Sequence, residues 1–202
     1  MKEYPSIQTG CVQRFRAHIF DKLDGSNLRF EWTKKRGWFK YGTRTRLFDE
    51  TDPVFGGAIA MFDNGLAAPI ADVAKRERWE KVVVFAEFHG QHSFAGIHLP
   101  EDPKSLTLFD VSPLRKGILP PAEFMKLFEN LEIPKFLGIE NWNREYADKV
   151  RNGEVEGVTF EGVVAKGVVN RKLIMEKAKT RAWIEKVKAL HSPEIAKAIL
   201  ES

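Results

Sequence analysis

The stretch that most constrains this chain is Leu28-Arg29-Phe30-Glu31-Trp32, where apolar and charged residues alternate without a break. In an extended backbone successive side chains point to opposite faces. Leu28, Phe30 and Trp32 therefore line one face of a strand, and Asn27, Arg29 and Glu31 the other. A segment patterned this way needs a sheet with one covered side. Just before it runs Phe20-Asp21-Lys22-Leu23-Asp24-Gly25-Ser26-Asn27, in which Gly25 permits a backbone turn that a side chain would obstruct. Lys22 is thereby presented at the mouth of a sheet. An ordinary hairpin with a solvated lysine would carry the same residues, so the rest of the chain has to decide.

Further strands are expected over 12–20, 38–43, 81–88 and 105–111, with a short one over 136–139 and a pair over 158–166 and 172–179 joined through Gly167 to Asn170. Trp38 to Thr43 pairs with the alternating segment around Lys34-Lys35-Arg36-Gly37. Asp52-Pro53 and Gly56-Gly57 mark a loop. Helices are expected over 69–81 and from Pro121 to the turn before Pro134, then over 142–151, stopped by Asn152-Gly153. Thr180 begins another helix, and Ser192-Pro193 caps a last one. This order is no regular strand–helix alternation, so the fold class is α+β, with mainly antiparallel sheets flanked by helices.

A chain of 202 residues with 15 Phe and 5 Trp is predicted to form a single domain with an ample core. One cysteine, Cys11, excludes an internal disulfide and a cysteine zinc cluster, and suits a reducing compartment. No long apolar run and no signal-like start are present, so a soluble cytoplasmic protein with no membrane partner is expected. His89, His92 and His98 are spaced too loosely to read as a metal site. Net charge is only +4, but from Thr33 to Phe48 there are six basic residues and no acid, with Trp38, Phe39 and Tyr41 between them. Such a segment suits a phosphate-bearing polymer, or else is a solvated hairpin face.

Lys22-Leu23-Asp24-Gly25-Ser26-Asn27 resembles the first motif of the covalent nucleotidyltransferases, with an ending closer to RNA ligases than to DNA ligases. The later motifs of that superfamily follow in order. Phe85-Ala86-Glu87-Phe88-His89-Gly90 resembles the one whose glutamate holds the ribose, with Ala86 where glycine is usual. Phe109, in Leu106-Thr107-Leu108-Phe109-Asp110-Val111, matches the aromatic that stacks on the purine. Phe160-Glu161-Gly162-Val163-Val164-Ala165-Lys166 resembles E-G-V-V-x-K, and Lys177-Ala178-Lys179 the final K-x-K. Arg44 resembles the arginine that follows the first motif, with Arg46 a possible substitute, and Asp21 stands where a carboxylate meets the base edge. The chain is thus similar to small phage-type RNA ligases, or RNA ligase domain proteins, over nearly its whole length.

The resemblance implies an ATP-grasp-like nucleotidyltransferase domain spanning 1–202, with 180–202 a short helical extension too small for an OB-fold. It implies an ATP-dependent RNA ligase. Lys22 attacks the ATP α-phosphate to form lysyl-AMP, AMP passes to an RNA 5′-phosphate, and a 3′-hydroxyl displaces it. Asp21, Asn27, Arg44, Glu87, Phe109, Glu161, Lys177 and Lys179 would hold the nucleotide, Lys177 and Lys179 acting also in catalysis. Glu161 would hold Mg²⁺ or Mn²⁺, a cation that keeps most of its waters and needs few protein oxygens. A lysine nucleophile must shed its proton, although its ordinary pKa is about 10.4, and positive neighbours and partial burial favour that. Regular alternation would put Glu161 and Lys166 on opposite faces, which favours Glu161 as the nucleotide-facing residue. A helper domain or protein could assist end recognition. Rival readings are a DNA ligase or capping-type enzyme, a non-catalytic nucleic-acid binder using the basic hairpin, and a structural α+β domain.

Overall fold

A computed structural model describes residues 1–91 and 98–201, so His92 lies outside the described residues. Its strands are β1 (Gln8–Thr9), β2 (Phe15–Lys22), β3 (Gly25–Thr33), β4 (Gly37–Gly42), β5 (Leu47–Phe48), β6 (Lys81–His89), β7 (Ser105–Pro113), β8 (Phe136–Trp142), β9 (Gly162–Val169) and β10 (Lys172–Lys179). Its helices are α1 (Gly56–Gly65), α2 (Ala67–Arg76), α3 (Pro121–Phe128), α4 (Arg144–Asn152), α5 (Arg181–Leu190) and α6 (Pro193–Glu201). This is the expected α+β class. None of these helices is long and apolar enough to cross a membrane.

The chain divides into two compact units, each with its own sheet. The first holds Met1–Tyr4, Ser26–His89 and Lys104–Ile133. Its five strands run β5-β4-β3-β6-β7. As the alternation requires, Leu28, Phe30 and Trp32 are buried in its core, with Val82, Val84 and Ala86 of β6 and with α1, α2 and α3. Phe30 lies flat on Phe62 of α1, centroids 3.9 Å apart. Arg29 and Glu31 consequently sit on the opposite face, which also carries Phe85 and Glu87.

The second unit holds Pro5–Gly25, Gly90–Pro103 and Pro134–Ser202, with strand order β1-β10-β9-β2-β8. All its pairings are antiparallel except β1 with β10. Phe15, Ala17 and Ile19 of β2, Val163 and Ala165 of β9 and Ala178 of β10 form its core with Trp142 and α4. Lys22, Lys166, Lys177 and Lys179 share the opposite face of the sheet.

Several boundaries differ from expectation. Gly56 and Gly57 open α1 and mark no loop. Gly56 is needed there because a Cβ would stand 2.4 Å from the Glu50 carbonyl oxygen, so close packing won over glycine's low helix propensity. The next helix begins at Ala67 and ends at Arg76, where Arg78 takes a left-handed φ of 56°. Trp142 ends a longer β8, and Asn143 caps α4 by accepting from the Tyr146 amide. Residues 158–161 lie outside β9. The β9–β10 turn is Asn170-Arg171, both at positive φ, the twist that suits a two-residue hairpin, while Gly167 sits inside β9.

Candidate active site

In the second unit Gly162 stands between two lysines. Lys22 is its register partner on β2 and Lys179 its partner on β10. A Cβ at position 162 would lie 2.0 Å from the Ala178 carbonyl oxygen, and the residue's φ is +149°. Only glycine lets the strands close there. Glu161, just ahead of the strand, is buried and takes both cations on Oε1, Lys22 Nζ at 2.9 Å and Lys179 Nζ at 3.5 Å. The rule that separates Glu161 from Lys166 by strand alternation therefore fails. Glu161 precedes the regular strand, and Gly162 redirects it toward the lysine face that also carries Lys166. Lys166 is itself buried, its ammonium 5.3 Å from the Phe20 ring centroid. Lys177 is buried on the same face of β10 as Lys179, and its carbonyl accepts from the Gly10 amide.

Lys179 is wrapped by the C-terminal helices. Its ammonium donates to the Ile199 and Leu200 carbonyls of α6, at 3.2 and 3.3 Å, and lies 4.5 Å from the Trp183 ring centroid. Burial lowers its pKa, Glu161 pulls the other way, and Lys22 adds to the lowering. Thr180 caps α5 and donates to the Phe160 carbonyl, while its amide donates to Glu161. The chain around Glu161 and Lys179 is thus pinned from both sides.

Asp24 has a side chain 9% exposed, and its Oδ2, 3.9 Å from His98 Nε2, has no hydrogen-bond partner among the described residues. Burial first, and the charge of Glu161 second, push its pKa up to about 6, with His98 and Lys22 opposing. The His98 ring touches the Asp24 carbonyl through Nε2 at 3.1 Å and Asp102 through Nδ1 at 3.2 Å. Asp21 is buried and already engaged, accepting from the Thr159 amide and hydroxyl. Burial raises its pKa and those two bonds lower it.

The first unit holds the remaining candidates. Glu87 projects from β6 on the face away from the core. On β7 the register jumps, Phe85 opposing Asp110 and Ala86 opposing Leu108, which leaves Phe109 as the extra residue of a bulge. The bulge turns Phe109 and Asp110 together onto the Glu87 face, while Leu108 and Val111 stay in the core. Asn27 Oδ1 is buried without a partner. Arg44 is exposed in the turn after β4, its carbonyl held by Arg29 at 3.2 Å. Arg46 is paired with Asp52 and holds that carboxyl down at about pH 2.

Tyr4 escaped the sequence reading. It is buried edge-on against Phe109 and Phe85, centroids 5.1 and 5.0 Å away, and donates to Asp110 Oδ2 at 2.5 Å. Burial and then the Asp110 charge raise its pKa well above the tyrosine range, so it stays a donor. The polar lead-in around it carries no periodicity that would have singled it out. Gly162 and the Asp24–His98 contact were missed too, because both depend on cross-strand register or on distant segments.

The family model described as RNA ligase matches residues 17–188. The chain belongs to the RNA ligase family. No curated protein sequence matches it. Among solved structures, an archaeal ATP-dependent RNA ligase superposes with a TM-score of 0.66 at 16% identity, covering 100% of this chain and 56% of that one. A Naegleria gruberi RNA ligase with pyrophosphate gives 0.66 at 15% identity, covering 94% and 58%. A mutant of the Naegleria gruberi enzyme with AMP and Mn gives 0.65 at 15%, covering 92% and 58%. At these identities the likeness establishes the nucleotidyltransferase fold. The chain spans little more than half the length of the ligases it superposes on.

Proposed function

We propose that this RNA ligase family member is an ATP-dependent RNA ligase acting through a lysyl-AMP intermediate, with residues 1–202 serving as one adenylyltransferase domain. The observation that carries the reading is the trio Lys22, Glu161 and Lys179 around Gly162, in a chain whose family model covers both motifs. Lys22 attacks the α-phosphorus, a P–N bond forms, and pyrophosphate leaves. The pair with Glu161 aims the amine, and attack requires that the amine give up its proton and be released from this carboxylate. Lys179 and Lys177 neutralise charge on the α-phosphate oxygens. Glu87 accepts from the ribose, Phe109 stacks on the base, Asn27 and Arg44 complete the nucleotide contacts, and Asp21 sits at the base edge as the weakest assignment.

A hard divalent cation fits the residues present. Glu161 offers carboxylate oxygens, Oε1 being shared with Lys22 and Lys179, and Asp24 Oδ2, buried with no hydrogen-bond partner among the described residues, is a second oxygen of the same kind in that unit. Mg²⁺ or Mn²⁺ would be held by Glu161, where it supplies neutralisation of the phosphates and leaving group. The structures of Naegleria gruberi ligase with AMP and Mn and with pyrophosphate support ATP and a divalent metal as the reactants here. The RNA partner presents a 5′-phosphate and a 3′-hydroxyl, a helper domain or protein assists with the ends, and the setting is the cytoplasm.

Incubation with ATP and Mg²⁺ followed by intact-mass measurement tests the reading. The wild type should gain one adenylyl group, labile to acid and stable to alkali, and Lys22→Ala should gain none. A wild type that stays unmodified after stripping of any bound AMP refutes it. Labelling by GTP in place of ATP would point to a capping-type enzyme.

A further inference from the structure

The basic run at the β3–β4 turn takes no part in the chemistry above, yet the structure organises it. The turn closes with the Arg36 amide donating to the Thr33 carbonyl, and Gly37 takes a φ of +69° to re-enter the strand. On β4 the register jumps from Trp32–Trp38 to Glu31–Lys40, which leaves Phe39 as the extra residue of a bulge. Trp38 goes inward, its indole N–H bonded to the Ala67 carbonyl. Phe39 remains half-exposed, with the Arg36 guanidinium 4.0 Å over its ring and Lys40 5.8 Å from the same centroid.

A guanidinium laid on an aromatic face is fixed in its plane, while its N–H edge remains open to accept a bidentate phosphate. Among the described residues no carboxylate lies within ion-pair distance of Lys35, Arg36 or Lys40. Glu31, the cross-strand partner of Lys40, is paired through Oε1 with Lys81 at 2.9 Å, and Glu80 with Lys34 at 3.7 Å. Beyond the two-residue β5, which pairs with Tyr41 and Gly42, the outer edge of β4 from Gly37 to Lys40 has no neighbouring strand among the described residues. Lys40 shares the face of the sheet that carries Glu31 and Glu87. Lys35 and Arg36 in the turn, the latter stacked on Phe39, and Lys40 on the face that bears the nucleotide residues of this unit form a basic surface complementary to a polyanion.

We propose that Lys35, Arg36, Phe39 and Lys40 are a docking ledge for the sugar-phosphate backbone of the RNA substrate. The choice of RNA among polyanions rests on the ligase reading. The ledge itself rests on the geometry. Its contacts are to phosphate, so it contributes affinity and placement and leaves base sequence unread.

The test uses the full chain and a fluorescein-labelled single-stranded RNA with a 5′-phosphate, followed by anisotropy over a salt series. The Lys35→Ala/Arg36→Ala/Lys40→Ala variant should bind at least tenfold more weakly. Its plot of log affinity against log salt should flatten by about 2, three contacts at about 0.7 each for a single strand. Self-adenylation by ATP should stay at the wild-type rate, showing that the fold and the nucleotide site survive. Arg36→Lys should keep the salt slope and lose part of the affinity, because charge remains and the stacked fork is gone. Unchanged affinity and slope in the triple variant overturn the ledge. Binding of wild-type protein to phosphatidylserine vesicles and not to RNA overturns it as well. The two proposals separate cleanly: ledge-dependent RNA binding without any adenylation leaves the ledge standing and sinks the ligase reading.

Discussion

The two sheets hold their candidate residues by different means. In the β1-β10-β9-β2-β8 sheet, Lys22, Glu161 and Lys179 are placed by register across three strands meeting at Gly162, and their charges satisfy one another. In the β5-β4-β3-β6-β7 sheet, Phe109 is placed by a bulge and steadied by Tyr4 and Phe85, while Asn27 Oδ1 lies buried with no hydrogen-bond partner among the described residues. A charge cluster fixed by register should fail all at once when one position is crowded. A bulged aromatic held by separate ring contacts should fail by degrees.

The sharpest way to break that contrast is Gly162→Ala. The added methyl meets the Ala178 carbonyl, so a cost of about 3 kcal/mol or more and loss of adenylation are expected, read by thermal denaturation and intact mass. Next, Lys179→Met should slow lysyl-AMP formation by roughly 10²–10³-fold, the range for removing one preorganised donor, in single-turnover kinetics. A variant that labels at the wild-type rate would remove Lys179 from the chemistry.

Asp24 gives a pH signature. An acid whose pKa is raised on folding binds its proton more tightly in the folded state. Its contribution is therefore fully present below pH 4 and lost as pH rises to about 6. Without nucleotide or metal, stability should fall by about 2–3 kcal/mol across that window, at 1.36 kcal/mol per pH unit, and Asp24→Asn should flatten the profile. Denaturant titrations at a series of pH values check it.

Smaller effects are expected in the other sheet. Phe109→Leu should raise the KM for ATP about tenfold with kcat little changed, since one stacking contact worth about 1–1.5 kcal/mol is lost. Tyr4→Phe keeps the ring and removes the bond to Asp110, costing about 1 kcal/mol of stability and a few-fold in ATP affinity. If Tyr4→Phe proves as damaging as Gly162→Ala, the contrast between the two sheets is wrong.

Much of this was legible in the chain. The alternation over 28–32 told which face of β3 meets the apolar core, although Arg29 and Glu31 on the other face are buried as well, and the order of short motifs pointed to the family. What failed failed for local reasons. Gly56-Gly57 reads as a loop because glycine is a poor helix former, yet the close approach of the Glu50 carbonyl requires it at the start of α1. The strand boundary at 158–161 was misplaced because φ at Gly162 is invisible in residue types.

Sequence by itself therefore determined the chemistry on offer: an amine beside a glycine turn, carboxylates in apolar strands, paired lysines, and an aromatic at a set spacing. Only the tertiary structure decided which of these meet. Lys22 and Lys179 lie far apart along the chain and become neighbours through backbone pairing with one glycine, and Tyr4 reaches Phe109 from the opposite end of its unit's sequence. Periodicity reports the face a side chain takes. Register, bulges and long-range contacts, which bring distant residues within a few ångströms, are set by packing the whole core at once.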